Sequence, residues 1–187
     1  MKKAFPIGLI IIGLVFLVGG AYTTYRGFDA KNQVRDELLA QNITTTPDAS
    51  IPNVKVQDAA TAQSMADIIE HHMLEATGGQ TYAEMDRYLA ADGGTTSDET
   101  AAMLDESGNP VANPLRNVAF QASALRTSLY TSVMAWNVGD LVIGLGLMIA
   151  VLGLVVAGVG VAFAGLVIPS FARKVHVEPV VAHTTTV

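Results

Sequence analysis

The chain has 187 residues, of which 50% are apolar and 15% are charged; a soluble domain carries about 25% charged residues, so this chain is charge-poor as a whole. It contains no cysteine, which excludes disulfide frameworks, iron–sulfur clusters, thiolate zinc sites and thiol nucleophiles. Its net charge of −6 argues against a nucleic-acid partner, because nucleic-acid-binding proteins present a basic face.

The first predicted element is an apolar helix near the N-terminus. Residues 6–25, PIGLIIIGLVFLVGGAYTTY, carry no charge, and a helix of this length crosses the roughly 30 Å hydrocarbon core of a bilayer. We predict an uncleaved transmembrane helix there, preceded by a short cytoplasmic segment, residues 1–5. The alternative is a cleavable signal peptide, because Lys2 and Lys3 precede the run and Gly19-Gly20-Ala21 fits a cleavage point.

The polar segment that follows, residues 26–140, begins with a predicted helix and an extended connector. A partial apolar stripe predicts the helix over residues 27–43. The connector contains two prolines and alternating apolar residues, so it is predicted to be extended, with one short strand at most.

Two further helices are predicted in the middle of this segment. Asp58 fits the cap of the first one, and Gly78-Gly79 is predicted to end it. Thr81 and Glu84 have the spacing of a capping box, which predicts a short helix over residues 82–89. The buried face of the longer helix is predicted to consist of Ala60, Met65, Ile68, Ile69 and Met73.

The last predicted element is one continuous helix that begins outside the membrane and becomes a second span. Residues 90–113 are rich in Gly, Thr, Ser, Asp and Asn, so they are predicted to form a flexible loop with at most one short helix. Asn113-Pro114 fits a helix start, with Asn as the cap and Pro at the first helical position. The second span is predicted over residues 141–168, an uncharged run, followed by a cytoplasmic tail over 169–187.

The distribution of charge predicts the orientation of both spans. Residues 26–140 contain seven Lys or Arg and sixteen Asp or Glu, a net charge of −9, whereas the two ends of the chain together carry +3. Basic residues beside both spans mark the cytoplasmic side. We therefore predict a multi-pass plasma-membrane protein that contacts the lipid bilayer and has both termini in the cytoplasm. The fold class is a mainly α membrane protein, with two transmembrane helices and a small helical extracytoplasmic domain.

One cluster of metal-ligating residue types lies on the longer predicted helix, namely Glu70, His71, His72 and Glu75. Glu75 is four residues from His71 and three from His72, so an imidazole and a carboxylate could share a metal ion. Adjacent histidines point about 100° apart on a helix, however, and a catalytic metal site needs about three protein ligands. We assign no catalytic residue and no cofactor, and keep His71, His72 and Glu75 as metal candidates against the alternative of a polar helix face.

The second span carries a regular pattern of small residues. They recur at alternating spacings of four and three, which places them on one stripe of a helix. Such a stripe lets another backbone approach closely, so we predict a packing seam whose partner is the first span, another membrane protein or a second copy of the chain. The seam consists of Gly146, Ala150, Gly153, Ala157, Gly160 and Ala164.

Three segments resemble a group of small actinobacterial membrane proteins. They are residues 68–84, IIEHHMLEATGGQTYAE, residues 114–133, PLRNVAFQASALRTSLYTSV, and residues 42–49, NITTTPDA. The resemblance covers both spans and most of the outer segment, with residues 90–113 as an insertion. It implies a two-span fold and an actinobacterial origin, and no established activity.

Members of this group often carry the label aromatic ring-opening dioxygenase LigA. Such chemistry needs non-haem iron held by two histidines and a carboxylate. The outer segment offers only His71 and His72, which diverge, so the residues do not support the label. We expect a noncatalytic membrane protein that scaffolds or modulates a membrane or cell-envelope complex; the alternative is a metal-dependent exported enzyme that uses the cluster from Glu70 to Glu75.

Overall fold

Helices make up most of the structure, a computed structural model that describes the backbone of residues 4–175 and the side chains of residues 4–165. The elements in chain order are α1 (Ala4–Ala40), α2 (Ala59–Ala76), β1 (Tyr88–Leu89), β2 (Thr95–Thr96), a 3-10 turn (Glu99–Ala101) and α3 (Pro114–Val175). The terminal charged side chains used to predict the orientation lie outside the described residues; they are Lys2, Lys3, Arg173, Lys174 and Glu178.

The chain divides into two compact units. One, here called the helix pair, consists within the described chain of residues 4–29 and 140–175, and it contains the first part of α1 and the last part of α3. The other, here called the polar unit, consists of residues 30–139. It contains the remainder of both long helices together with α2 and the two strands.

Both long helices run without interruption. The continuous helix predicted from Pro114 into the second apolar run is confirmed by α3. The helix over residues 27–43, predicted to lead out of the first apolar run, is the C-terminal part of α1, which ends at Ala40. Arg26 ends the uncharged run but not the helix, because a charged side chain leaves the backbone hydrogen bonds of a helix intact.

The apolar stretches of α1 and α3 are each long enough to cross a membrane. Only 17% of the most apolar window of α1 and 11% of that of α3 is buried within the protein. The core helix of a water-soluble protein would have its apolar side chains mostly buried. The exposure therefore argues against a soluble core for both helices.

The two helices of the pair approach each other so closely that the contact requires glycine. A Cβ atom added to Gly153 would lie 2.5 Å from the backbone nitrogen of Leu17. One added to Gly13 would lie 2.5 Å from the backbone nitrogen of Ala157. No side chain fits at these distances, so the two backbones are in direct van der Waals contact.

The contact glycines are spaced seven residues apart on both helices. On α3 they are Gly146, Gly153 and Gly160, and on α1 they are Gly13 and Gly20. A seven-residue repeat keeps the same face of each helix toward its neighbour over several turns. The small-residue stripe of α3 thus faces α1; its two middle alanines, Ala150 and Ala157, contact Gly20 and Gly13, and Ala164 is half-buried.

The predicted limits of α2 are confirmed. At its start the Asp58 carboxylate accepts a hydrogen bond from the Thr61 backbone amide at 2.9 Å, and the Thr61 hydroxyl accepts one from the Asp58 amide at 3.1 Å. At its end Gly79 donates its amide to Leu74 O at 2.7 Å. Gly78 and Gly79 have φ angles of +67° and +88°, a backbone conformation that glycine adopts at no steric cost.

The predicted buried face of α2 is only partly correct. Ala60 is exposed, and the face turned inward includes Thr61, Ala62, Ser64 and Ala66 as well as Ile68 and Met73. Thr61, Ala62, Ser64 and Ala66 are small or polar, so a pattern of large apolar residues did not indicate these four. Ser64 is used as a hydrogen-bond partner, because its hydroxyl accepts the Ile51 amide at 2.9 Å.

The helix predicted over residues 82–89 is wrong. Glu84 accepts hydrogen bonds from the Thr81 amide and hydroxyl, both at 2.8 Å, but the turn does not continue as a helix. Tyr88 and Leu89 form β1 instead, and Leu89 donates its amide to Val111 O at 3.0 Å. Pairing with a distant segment here replaces the local hydrogen bonds that a helix would make.

Backbone pairing also organises residues 90–113, which were predicted to be a loop. β1 pairs antiparallel with β2, and isolated bridges join Tyr88 to Ala112, Ala90 to Ala102 and Leu104 to Pro110. The segment is therefore a small β structure whose turns use glycines at positive φ, Gly93 and Gly108. It ends at Asn113, whose side-chain oxygen accepts the Leu115 amide at 3.0 Å and so caps α3 as predicted.

Two apolar clusters form the core of the polar unit. The larger one contains Val56 of the connector together with Leu38 of α1, Ala62 and Ala66 of α2, and Leu129 of α3. The smaller one contains Met73, Met85 and Ala119. All three helices thus contribute to one packed unit, with α2 held against both long helices.

We predict that Gly153→Ala destabilises the helix pair, whereas Gly158→Ala does not. The added methyl group at residue 153 collides with the α1 backbone, while a Cβ at residue 158 has no neighbour within 4 Å. Overpacking of this kind costs about 1–3 kcal/mol, and the change in helix propensity is the same for both variants. Thermal unfolding of the full-length protein in micelles measures the difference; equal midpoints for the two variants would contradict the contact.

Candidate functional site

The histidines of the predicted metal cluster have separate partners. His71 Nε2 lies 3.3 Å from Glu75 Oε1, one turn further along α2. His72 Nε2 instead lies 2.6 Å from Asp48 Oδ2 in the connector between α1 and α2. The two rings are tilted with their centres 6.0 Å apart. Across the residues that the structure describes, no group of three or more His, Asp or Glu side chains is placed to hold a metal ion.

Glu70, the remaining member of the cluster, joins α2 to α3. Its carboxylate accepts a hydrogen bond from Arg126 at 2.6 Å, between Oε2 and Nη2. One helical turn away on both helices, the Tyr130 hydroxyl donates to Asp67 Oδ1 at 2.6 Å. That hydrogen bond raises the pKa of Tyr130, because it stabilises the protonated phenol. Glu70 and Asp67 of α2 thus tie this helix to α3.

The Asp48 carboxylate is stabilised in its charged form. The Thr46 hydroxyl and the His72 ring lower the pKa of Asp48 from 3.8 to about 2. Both members of the Asp48–His72 pair are about half exposed, at 55% and 45% of their side chains. The pair is therefore a surface tie that holds the connector on α2 and not a buried ion pair.

An apolar groove lies between α2 and α3 in the polar unit, here called the α2–α3 groove. It consists of two adjoining cavities of about 500 Å³ and about 400 Å³ that share Ile69 and Leu125. The first cavity also reaches the end of α1, and the second extends to Met73 and Val118. Its apolar walls include Ile43, Met65, Ile69, Val118, Leu125 and Leu129.

Large apolar side chains in this groove are exposed. Leu125 is 56% exposed and Val118 is 45% exposed, and both lie on the same face of α3, two turns apart. Polar side chains at the edge include Glu37 at one end and His72, paired with Asp48, at the other. The groove therefore has an apolar floor and a polar rim that includes the Glu37 carboxylate.

The groove is not evident from the sequence. The spacing of Val118, Ala122, Leu125 and Leu129 indicates one apolar face of α3, but it does not show that α2 covers only part of that face. Leu129 is buried in the core and Leu125 is not. Whether a residue on such a face is covered depends on how the neighbouring helix packs against it, which is a tertiary property.

Comparison of the chain with protein-family models, with curated proteins and with solved structures gives no match.

We predict that Asp48→Asn removes a part of the acid dependence of stability. Because the pKa of Asp48 is lowered to about 2 from 3.8, its contribution is fully present above its ordinary pKa and is lost as the pH falls through the folded value. The wild-type protein should lose stability more steeply than the variant between about pH 4 and pH 2. Unfolding followed by Trp136 fluorescence at a series of pH values measures this; parallel curves would contradict it.

Proposed function

We propose that this chain is a two-span membrane protein whose polar unit lies outside the cytoplasm and docks a helix of another membrane or cell-envelope protein in the α2–α3 groove. The observation that carries the proposal is the exposed apolar floor of the groove around Leu125. No chemical step is part of this function: the protein scaffolds or modulates the complex that it joins.

The exposed apolar surface of the helix pair supports a place in the bilayer. Side chains such as Val15, Val18, Leu147 and Met148 are more than half exposed. Burying surface of this kind in hydrocarbon gains about 25 cal/mol per Å². A bilayer is the environment that covers it on all sides, and two helices with satisfied backbone hydrogen bonds are a stable way to cross one.

The contact between the two apolar helices supports an uncleaved first span. Gly13 and Gly20 are the α1 residues that receive the α3 backbone. Cleavage after Ala21 would remove both of them and leave Gly146, Gly153 and Gly160 without their neighbour. A signal peptide that is cleaved off has no lasting contact with a later helix. We therefore favour the interpretation that the first span is an uncleaved anchor.

Because the small-residue stripe of α3 is used within the chain, we place the partner at the groove. The groove lies between the exposed faces of two helices and has the apolar floor that an amphipathic helix requires. The partner helix would present apolar residues at a spacing of three and four toward Val118 and Leu125.

Charge favours a basic partner over a second copy of this chain. Residues 26–140 carry a net charge of −9, and Glu37 lies at the rim of the groove. Two such units repel each other, whereas a helix with Lys or Arg beside its apolar face is attracted. A second copy is the other occupant that the experiments below distinguish.

Orientation is tested with single cysteines, because the native chain has none. In intact cells we expect a membrane-impermeant maleimide to label Ser107→Cys in the exposed turn between the bridged residues Leu104 and Pro110. Thr185→Cys should be labelled only after the cells are lysed. The opposite pattern would reverse the proposed topology, and labelling of both sites in intact cells would exclude two spans.

The docking site is tested with Leu125→Gln and the matched control Met134→Gln. Met134 is also exposed, but it lies nine residues further on, half a turn round α3 from Leu125. A lost leucine contact is worth about 1.5–3 kcal/mol, so recovery of the partner from native membranes by affinity purification should fall about tenfold or more for Leu125→Gln alone.

Crosslinking and mass spectrometry of the wild-type complex then identify the segment in the groove. A basic amphipathic helix supports the proposal. Residues of the same chain would show self-association instead, and equal recovery with both variants would place the partner elsewhere.

A further inference from the structure

A second surface of the polar unit brings two arginines together beside an aromatic wall. It is a cavity of about 330 Å³, here called the arginine pocket, formed by the turn that precedes β1 and the first turns of α3. The residues that matter are Arg87 and Arg116, Asn117, and the rings of Tyr82 and Phe120. None of these residues lines the α2–α3 groove.

Arg116 is held in a defined position. Its Nε donates a hydrogen bond to Met85 O at 3.2 Å, and its guanidinium carbon lies 4.1 Å from the centre of the Tyr82 ring. The backbone hydrogen bond and the stacking fix the plane of the guanidinium group. Its two terminal nitrogens are left to bind another group.

Neither arginine of the pocket forms an ion pair with a carboxylate of the described residues. Other arginines do so: Arg26 pairs with Asp29 at 3.3 Å and Arg126 with Glu70 at 2.6 Å. Two like charges in one pocket repel each other. In a segment that contains more than twice as many acidic as basic residues, two arginines that form no ion pair with a carboxylate of the described residues leave room for an external anion.

The wall of the pocket is apolar. The rings of Tyr82 and Phe120 have their centres 5.6 Å apart, and Phe120 is 54% exposed. A ligand whose charged group reaches the arginines would therefore lay its apolar part on Phe120 and gain from covering that ring.

We propose that the arginine pocket binds an oxyanion, a carboxylate or a phosphate, that is carried on an apolar group. Planar guanidinium groups bind both kinds of oxyanion in a bidentate manner, and Asn117 adds an amide donor at the edge. A soluble metabolite and a lipid headgroup both present this chemistry, so the experiment includes an arm for each source.

The test uses the full-length protein in an uncharged detergent, with phenyl phosphate and benzoate as probes in calorimetric titrations. Arg87→Gln should weaken binding about tenfold, since it removes a charge-assisted contact. The matched control is Arg35→Gln, because Arg35 donates to Gln57 on another part of the polar unit and its loss changes the net charge equally. This control should leave the affinity unchanged.

Each outcome bears on the proposal. If Arg87→Gln and Arg35→Gln weaken probe binding equally, the probes are attracted by net charge only and there is no defined site. The absence of saturable binding to the wild-type protein would also overturn the proposal. Phe120→Ala should weaken phenyl phosphate but not inorganic phosphate; equal effects would overturn the role of the apolar wall. The thermal midpoint of each variant shows whether it is folded.

The source of the oxyanion is tested with water-dispersed short-chain lipids added to the protein in an uncharged detergent. If phosphatidylglycerol displaces phenyl phosphate and phosphatidylcholine does not, the pocket binds the headgroup of an anionic lipid. If neither lipid displaces the probe, the ligand is a soluble oxyanion. Both results retain the site, because both depend on the same two arginines.

Discussion

The direct contact between the α1 and α3 backbones is the constraint on which the rest of the structure depends. In the helix pair it is made by glycines, because a Cβ atom at Gly13 or Gly153 would lie 2.5 Å from a backbone nitrogen of the facing helix. In the polar unit the same two helices contribute Leu38 and Leu129 to the larger core cluster. Small residues thus set the distance between α1 and α3 in the helix pair, whereas larger apolar side chains fill the core in the polar unit.

The polar unit uses its charges for two purposes. Several acidic residues of α2 and the connector form ties, as in the Glu70–Arg126 and Asp48–His72 pairs. These ties account for the residues that first suggested a metal site. The surfaces that we propose for binding are an apolar groove with His72 at its edge and a pocket with two arginines. Both surfaces border α3, so one helix presents a different chemistry on each side.

The sequence predicted the features that are set by local chemistry. The Asp58 cap, the glycines after α2 and the start of α3 at Asn113-Pro114 each depend on a residue whose side chain or φ angle suits one position. The long apolar runs were equally clear, because their length alone distinguishes them. The stripe of small residues indicated a close approach but did not identify which backbone makes it.

The features that the sequence did not predict are set by distant contacts. Residues 82–89 have a good local signal for a helix, yet pairing with residues near Val111 makes part of them a strand. His72 has Glu75 within reach on its own helix, yet it pairs with Asp48. The groove and the arginine pocket arise where separate elements meet, so no single stretch of sequence contains their signal.

The seven-residue spacing of the contact glycines limits which insertions and deletions α3 can accept. Inserting one residue between Gly146 and Gly153 would rotate everything beyond it by about 100° relative to the part before. Leu152 and Val159 would then occupy the places of Gly153 and Gly160, where there is no room for a side chain. An insertion of seven residues would restore the register. The apolar part of α3 should therefore tolerate substitution at its many exposed positions far better than any small insertion or deletion.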